Sequence, residues 1–241
     1  IILNSTKGMI NKSLIATHKV ELTAANDILN QGIVQAGTSV SMKSDTGSIT
    51  NKGDVEAKGG DVTMDAKTDL HNQGVVKASQ DVGLTSGQSM ANEQAVTAGR
   101  NLKMKAGTML TNSGGLTATN GSIELTAQKE LLNQGAVQAG TTVTMASAGS
   151  SIANQADVEA KGGDVTMDAK TDLGNQGAVT GGQGVELTSG GSMANDKAVT
   201  AGTSVTMKSD TGSITNKGDV EAKGGDVTMD AKTDLHNQGG M

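Results

Sequence analysis

The chain contains no cysteine, no proline and no phenylalanine, tyrosine or tryptophan. Without cysteine there is no disulfide framework and no thiolate metal site. Aromatic side chains usually supply much of the bulk of a three-dimensional core. A chain lacking them must bury small aliphatics in a narrow space. Basic charge is scarce too: 19 Lys plus Arg stand against 25 Asp plus Glu, for a net charge of −6, and Arg100 is the only arginine. Nucleic-acid binding normally rests on a basic patch with arginine forks and aromatic stacking, and neither can be assembled from these residues. No apolar run approaches the roughly 20 residues of a membrane-spanning helix. The opening residues Ile1, Ile2, Leu3 and Asn4 lack the plan of a signal peptide.

What the 241 residues do contain is a recurring asparagine. Asn11, Asn30, Asn51, Asn72, Asn92, Asn112, Asn133, Asn154, Asn175, Asn195, Asn216 and Asn237 follow one another at intervals of 19 to 21 residues. A period near twenty residues is the signature of one structural turn repeated many times. Low hydrophobicity alone is compatible with disorder, but disorder does not require aliphatics to return at fixed offsets from each asparagine.

The stretch from Asn51 to Asn72 serves as the type turn. Asp54-Val55-Glu56-Ala57 alternates outside and inside, the period-two pattern of a strand. Lys58-Gly59-Gly60 reads as a corner, where glycine supplies backbone angles that other residues resist. Asp61 to Ala66 alternates again, with Val62, Met64 and Ala66 on one face. After Lys67-Thr68, a third short strand points Leu70 and Asn72 inward, and Gln73-Gly74 leads into the next turn. Three short strands and three corners in 20 to 21 residues define an all-β parallel β-helix, a solenoid of roughly triangular section.

The offsets recur along the chain. Four residues after each asparagine comes the first-strand rank: Ile15, Val34, Val55, Val76, Val96, Leu116, Val137, Val158, Val179, Val199 and Val220. Val40/Met42, Val62/Met64, Val82/Leu84 and Leu102/Met104 fill the second strand. Two residues before each asparagine stands Met, Ile or Leu, from Met9 to Leu235. The length variation falls between strands, since a slip inside one would turn its buried side chains outward. About eleven coils at ~4.8 Å each make a rod of roughly 50 Å. No single coil is self-sufficient, so stability is collective and the ends are prone to end-to-end or lateral self-association.

An inward asparagine carries an amide that is costly to bury unpaired. Stacked on its equivalent one coil away it can bond along the axis. Asn30, Asn51, Asn72, Asn92, Asn112, Asn133, Asn154, Asn175, Asn195, Asn216 and Asn237 are accordingly assigned to a structural amide ladder rather than to ligand binding. No catalytic, cofactor-binding or metal-binding residue is assigned, and no cofactor is expected.

Other residues invite chemical readings. Asp54/Glu56, Asp157/Glu159 and Asp219/Glu221 form one set of paired acids; Asp61/Asp65, Asp164/Asp168 and Asp226/Asp230 form another. Paired carboxyls serve glycoside hydrolysis or calcium binding. The reading preferred is a solvated outer face, with Lys58, Lys67, Lys161 and Lys170 at adjacent corners. His18, His71 and His236 do not cluster, and His71 and His236 occupy the same outward place in copied coils, so a shared metal is excluded. Outward Thr63, Thr166 and Thr228 are too interrupted by charge to form an ice-binding face. The copying is extensive: residues 36–74 and 201–239 are identical except for Ser41 against Thr206, and Asp54–Leu70 returns as Asp157–Leu173. Duplicated surfaces fit a structural element or multivalent contact better than unique chemistry.

The phrase Asn30-Gln31-Gly32-Ile33-Val34-Gln35-Ala36-Gly37-Thr38-Ser39-Val40-Ser41-Met42 returns as Asn133-Gln134-Gly135-Ala136-Val137-Gln138-Ala139-Gly140-Thr141-Thr142-Val143-Thr144-Met145. It resembles the repeats of filamentous haemagglutinins and the related contact-dependent growth inhibition exoproteins of Gram-negative bacteria. The resemblance runs from Asn11 to Asn237. It implies a right-handed parallel β-helix, exported by two-partner secretion through an outer-membrane transporter and folded at the cell surface. The expected function is a non-catalytic shaft of a secreted, surface-displayed adhesin or toxin-delivery stalk. Residues 1–241 are expected to be one β-helix segment of a longer exoprotein. One alternative is direct adhesion to a host or neighbouring-cell receptor through the repeated faces; another is a polysaccharide lyase or hydrolase built on the same fold. The enzyme reading would call for a groove with basic and aromatic side chains.

Overall fold

A computed structural model describes residues 1–241 and contains 35 β-strands and no helix. Every strand pairing is parallel, and each strand pairs with the strand three places further along the chain. The result is a β-helix with three sheets. One, of 12 strands, collects the long strands from Ile2–Ser5 through Val62–Ala66 to Val227–Ala231. A second, also of 12, collects the asparagine-ending strands from Met9–Asn11 to Leu235–Asn237. The third, of 11, collects the strands from Leu14–Ala16 to Val220–Ala222. Twelve stacked strands at ~4.8 Å make a rod of about 53 Å.

Strand alternation accounts for the core. Val62, Met64 and Ala66 are buried, while Thr63 and Asp65 point out. In register beneath and above them lie Val40, Met42 and Ser44, then Val82, Leu84 and Ser86. Repeated through the rod, this produces one continuous core of 53 buried apolar residues, none of them aromatic. The column is narrow enough for Val, Leu, Ile, Met and Ala to fill it.

Variation in coil length resides wholly in the corners. Between Asn30 and Asn51 the strands Val34–Ala36, Val40–Ser44 and Ile49–Asn51 are separated by corners of three, three and four residues, counting from Asn30. Between Asn51 and Asn72 the strands keep their lengths of three, five and three, and the corners become three, four and three. The first coil departs from the expected offset. Its corner after Asn11 holds only Lys12 and Ser13, so Leu14, not Ile15, pairs with Val34. Ile15 points outward and is 67% exposed. The missing corner residue is already visible in the 19-residue spacing from Asn11 to Asn30.

Glycine's role in the corners also differs from the expected one. No glycine in the chain has a positive φ. The four-residue corners leading into the long strands read Lys58-Gly59-Gly60-Asp61, Thr119-Asn120-Gly121-Ser122, Lys161-Gly162-Gly163-Asp164 and Lys223-Gly224-Gly225-Asp226. Each has glycine third. There the chain lies against the corner of the coil before: a Cβ on Gly60 or Gly163 would stand 2.9 Å from the carbonyl oxygen of Thr38 or Thr141. Close approach of backbone to backbone, not left-handed geometry, selects glycine.

Candidate functional site

The asparagine column is a continuous chain of amides. From Asn11 to Asn237, each side-chain Nδ2 donates to the Oδ1 of the asparagine one coil on, at 2.6–2.8 Å, without a break. From Asn72 onward the same nitrogen also donates to the carbonyl two residues ahead, as Asn133 does to Gly135 at 2.9 Å. That turns the chain out of the strand. Asn30 to Asn216 are at most 1% exposed, so no ligand can reach their amides. No buried side-chain polar atom in the rod lacks a partner.

A second polar column lies at the inner end of the long strands, and the sequence pattern did not single it out. Ser44, Ser86, Ser147, Ser189 and Ser209 are buried where other coils carry alanine. The three corners of four residues that follow long strands come after Ser44, Ser147 and Ser209. In each, the hydroxyl donates to a carbonyl of the preceding coil (Asn26 at 2.7 Å, Lys129, and Gly191 at 2.5 Å). It also accepts from the N–H three residues on: Gly47, Ser150 and Gly212. A serine at this place therefore closes the longer corner. The available signal was the coincidence of serine with a seven-residue step from the preceding methionine to the next strand, as in Met42 to Ile49, Met145 to Ile152 and Met207 to Ile214.

Five of the twelve acids considered for chemistry are corner caps. Asp54, Asp157 and Asp219 each stand just before a strand, and their Oδ1 atoms accept the N–H of Val75, Ala178 and Gly240 at 3.0, 2.8 and 2.8 Å. Asp61 and Asp164 do the same for Asp81 and Gly184 at 3.0 and 2.7 Å, and Asp69 and Asp172 for Ser89 and Ser192. Asp27 accepts both the N–H and the hydroxyl of Ser48, which hold its carboxyl below the usual carboxylate range. Glu56 and Glu159 accept from Gln35 and Gln138 at 2.6 and 2.5 Å. Lys58, Lys67, Lys161 and Lys170 make no ion pair. Asp65, Asp168, Glu221, Asp226 and Asp230 stay solvated like those lysines, so the outer face combines inter-coil ties with solvated charge.

No three His, Cys, Asp or Glu side chains converge at metal-binding distance. His71 Nε2 meets Glu93 Oε1 at 2.5 Å, which with Gln73 holds that carboxyl low, while His18 contacts only the Thr17 hydroxyl. The surface has open grooves rather than a cleft. The largest, about 490 Å³, runs along the edge of the long-strand sheet past Lys43, Asp45, Asp65, Lys67 and Lys105. The groove at Lys208, Asp210, Asp230 and Lys232 repeats the first four of these. The sheets also differ outside. The outward centre of the asparagine sheet carries Ile10, Leu29, Thr50, His71, Ala91, Thr111, Leu132, Ala153, Gly174, Ala194, Thr215 and His236, with no Asp, Glu, Lys or Arg.

Fold and surface together define a β-helical repeat rod of stacked equivalent coils. The family model for the haemagglutinin repeat matches it over residues 6–59, 57–114, 97–163 and 151–239, so nearly the whole chain is covered. The chain belongs to the haemagglutinin repeat family. Comparison with curated proteins and with solved structures gives no match.

Proposed function

We propose that this rod is a non-catalytic shaft of a secreted exoprotein displayed on the bacterial surface, extending an adhesive or toxic module away from the cell. The observation that carries the proposal is the unbroken stacking of equivalent coils, whose polar side chains are spent on holding one coil to the next. Family membership supports the surface setting. The absence of cysteine supports export through an outer-membrane transporter, because no disulfide can lock the chain before passage. The chain takes no cofactor and no nucleic acid.

Removing whole coils tests the shaft. Deleting residues 73–133 joins Asn72 to Gln134 and preserves the corner phrase Asn-Gln-Gly-Ala-Val, taking out three coils. The rod then shortens by about 14 Å, and a distal module keeps its own activity while its reach falls. Loss of binding by the shortened rod itself would instead favour direct adhesion to a host or neighbouring-cell receptor. New reducing ends released from acidic polysaccharides by the purified rod would establish an enzyme and defeat the shaft reading. The outer face of the asparagine sheet, whose strand centres carry no Asp, Glu, Lys or Arg, favours one further property, lateral packing of rods, which sedimentation at rising concentration detects.

A further inference from the structure

The chain holds one Asn-Gly dipeptide, Asn120-Gly121. Asparagine followed by glycine is chemically weak, because the glycine backbone nitrogen, unhindered by a side chain, can reach the asparagine side-chain carbonyl carbon. The ladder asparagines are built otherwise. They are followed by Lys, Gln, Glu, Ser or Asp, and where a glycine occurs it comes two residues on, as in Gly32, Gly53, Gly74 and Gly135. From Asn30 to Asn216 they are also buried, with their amides bonded along the column.

Asn120 shares none of this protection. It sits in the four-residue corner between Ala118 and Ile123 with its side chain in solvent. One bond, Nδ2 to the Gly99 carbonyl at 3.1 Å, restrains the amide. The Gly121 N–H donates to no group, so no hydrogen bond has to break before it attacks. Glycine is required at 121 because a Cβ would stand 2.6 Å from the Arg100 carbonyl carbon. The three sister corners carry glycine ahead of it as well (Gly59, Gly162 and Gly224), and only this coil places asparagine there.

We infer that Asn120 is the site at which this chain ages by deamidation. The Gly121 nitrogen forms a bond to Asn120 Cγ, the Cγ–Nδ2 bond breaks, and ammonia leaves with the amide proton. Water then opens the five-membered imide at either carbonyl, giving aspartate or isoaspartate. Net charge moves from −6 to one unit more negative. The donor to Gly99 is lost, and a carboxylate takes its place against that carbonyl. Isoaspartate also adds a methylene to the backbone of a corner closely packed on the coil below. The ladder stays intact while one exposed corner loosens with time.

Prolonged incubation of the folded protein at mildly alkaline pH, followed by peptide mapping with mass spectrometry, tests this. A mass gain of about one dalton and isoaspartate are expected in the peptide containing Asn120, at a rate at least roughly tenfold above any ladder asparagine. Asn120→Gly recreates the Gly-Gly of the sister corners and should fold as the parent does; it should abolish the acidic species seen by ion exchange. Hydrogen exchange should quicken around residues 119–123 only in aged parent protein. An Asn120 peptide modified no faster than the ladder peptides overturns the inference. So does a folded Asn120 that stays intact while a free peptide spanning 118–125 deamidates, because the corner would then be protective.

Discussion

Asn133→Ala measures what the amide column contributes. In the parent, Asn133 accepts from Asn112 at 2.8 Å and donates to Asn154 at 2.7 Å and to the Gly135 carbonyl at 2.9 Å, with no solvent exposure. Alanine leaves the Asn112 Nδ2–H without its acceptor, and Asn154 Oδ1 and the Gly135 carbonyl without donors. At roughly 1–3 kcal/mol per orphaned buried group, the cost is about 3–9 kcal/mol. Asn237→Ala supplies the contrast: that residue is exposed and water can replace its bonds, so the cost is under about 1 kcal/mol. The second substitution of the pair Asn133→Ala/Asn154→Ala should cost less than the same change made alone, because the bond it breaks is already gone. Repeat rods do not always unfold in one step, so urea denaturation should be read with residue-resolved hydrogen exchange, which locates the loosened coils. Equal and small effects at Asn133 and Asn237, or strictly additive effects at Asn133 and Asn154, would refute the argument that the amides act as one bonded column.

Ser209→Ala should lower stability by about 1–2 kcal/mol and quicken exchange at Gly212, since the hydroxyl links Gly191 to the longer corner; unchanged exchange there would contradict the corner-closing role. Asp27 titrates below its usual range because the Ser48 N–H, then the Ser48 hydroxyl, favour the carboxylate. Its contribution is therefore complete above the unfolded carboxylate pKa of about 4 and is lost as pH falls through the lower folded value. Asp27→Asn, which retains an acceptor but not the titration, should flatten the acid limb of a stability-against-pH curve; an unaltered limb would count against the cap. Protonation of Glu93, lowered first by its bond to His71 and then by that to Gln73, acts in the same direction, so His71→Ala should raise the Glu93 pKa as read by NMR titration.

Several elements were legible from residues alone because their causes are local. Val62, Met64 and Ala66 had to share a face, and the alternation that says so is intrinsic to a strand. Copied corners declared where length could vary. The first coil shows the limit of a fixed offset: counting four residues from Asn11 reaches Ile15, whereas the pairing with Val34 belongs to Leu14. Only the neighbouring coil decides between them. The acids illustrate the same limit more strongly. In sequence, Asp54, Asp61 and Asp69 are carboxylates flanking strands; their partners Val75, Asp81 and Ser89 lie 20 or 21 residues away. The corner glycines likewise reveal their reason only against the carbonyl beneath them.

The sequence by itself determined the coil period, the three strands in each coil and, beyond the first coil, which aliphatic side chains face the interior, because alternation and spacing along one chain suffice to specify them. Only the tertiary structure decided which polar groups serve one another: serines closing long corners, aspartates capping the next coil and glycines admitting close contact. Those bonds join residues about twenty positions apart, and they exist only once one coil lies on the next.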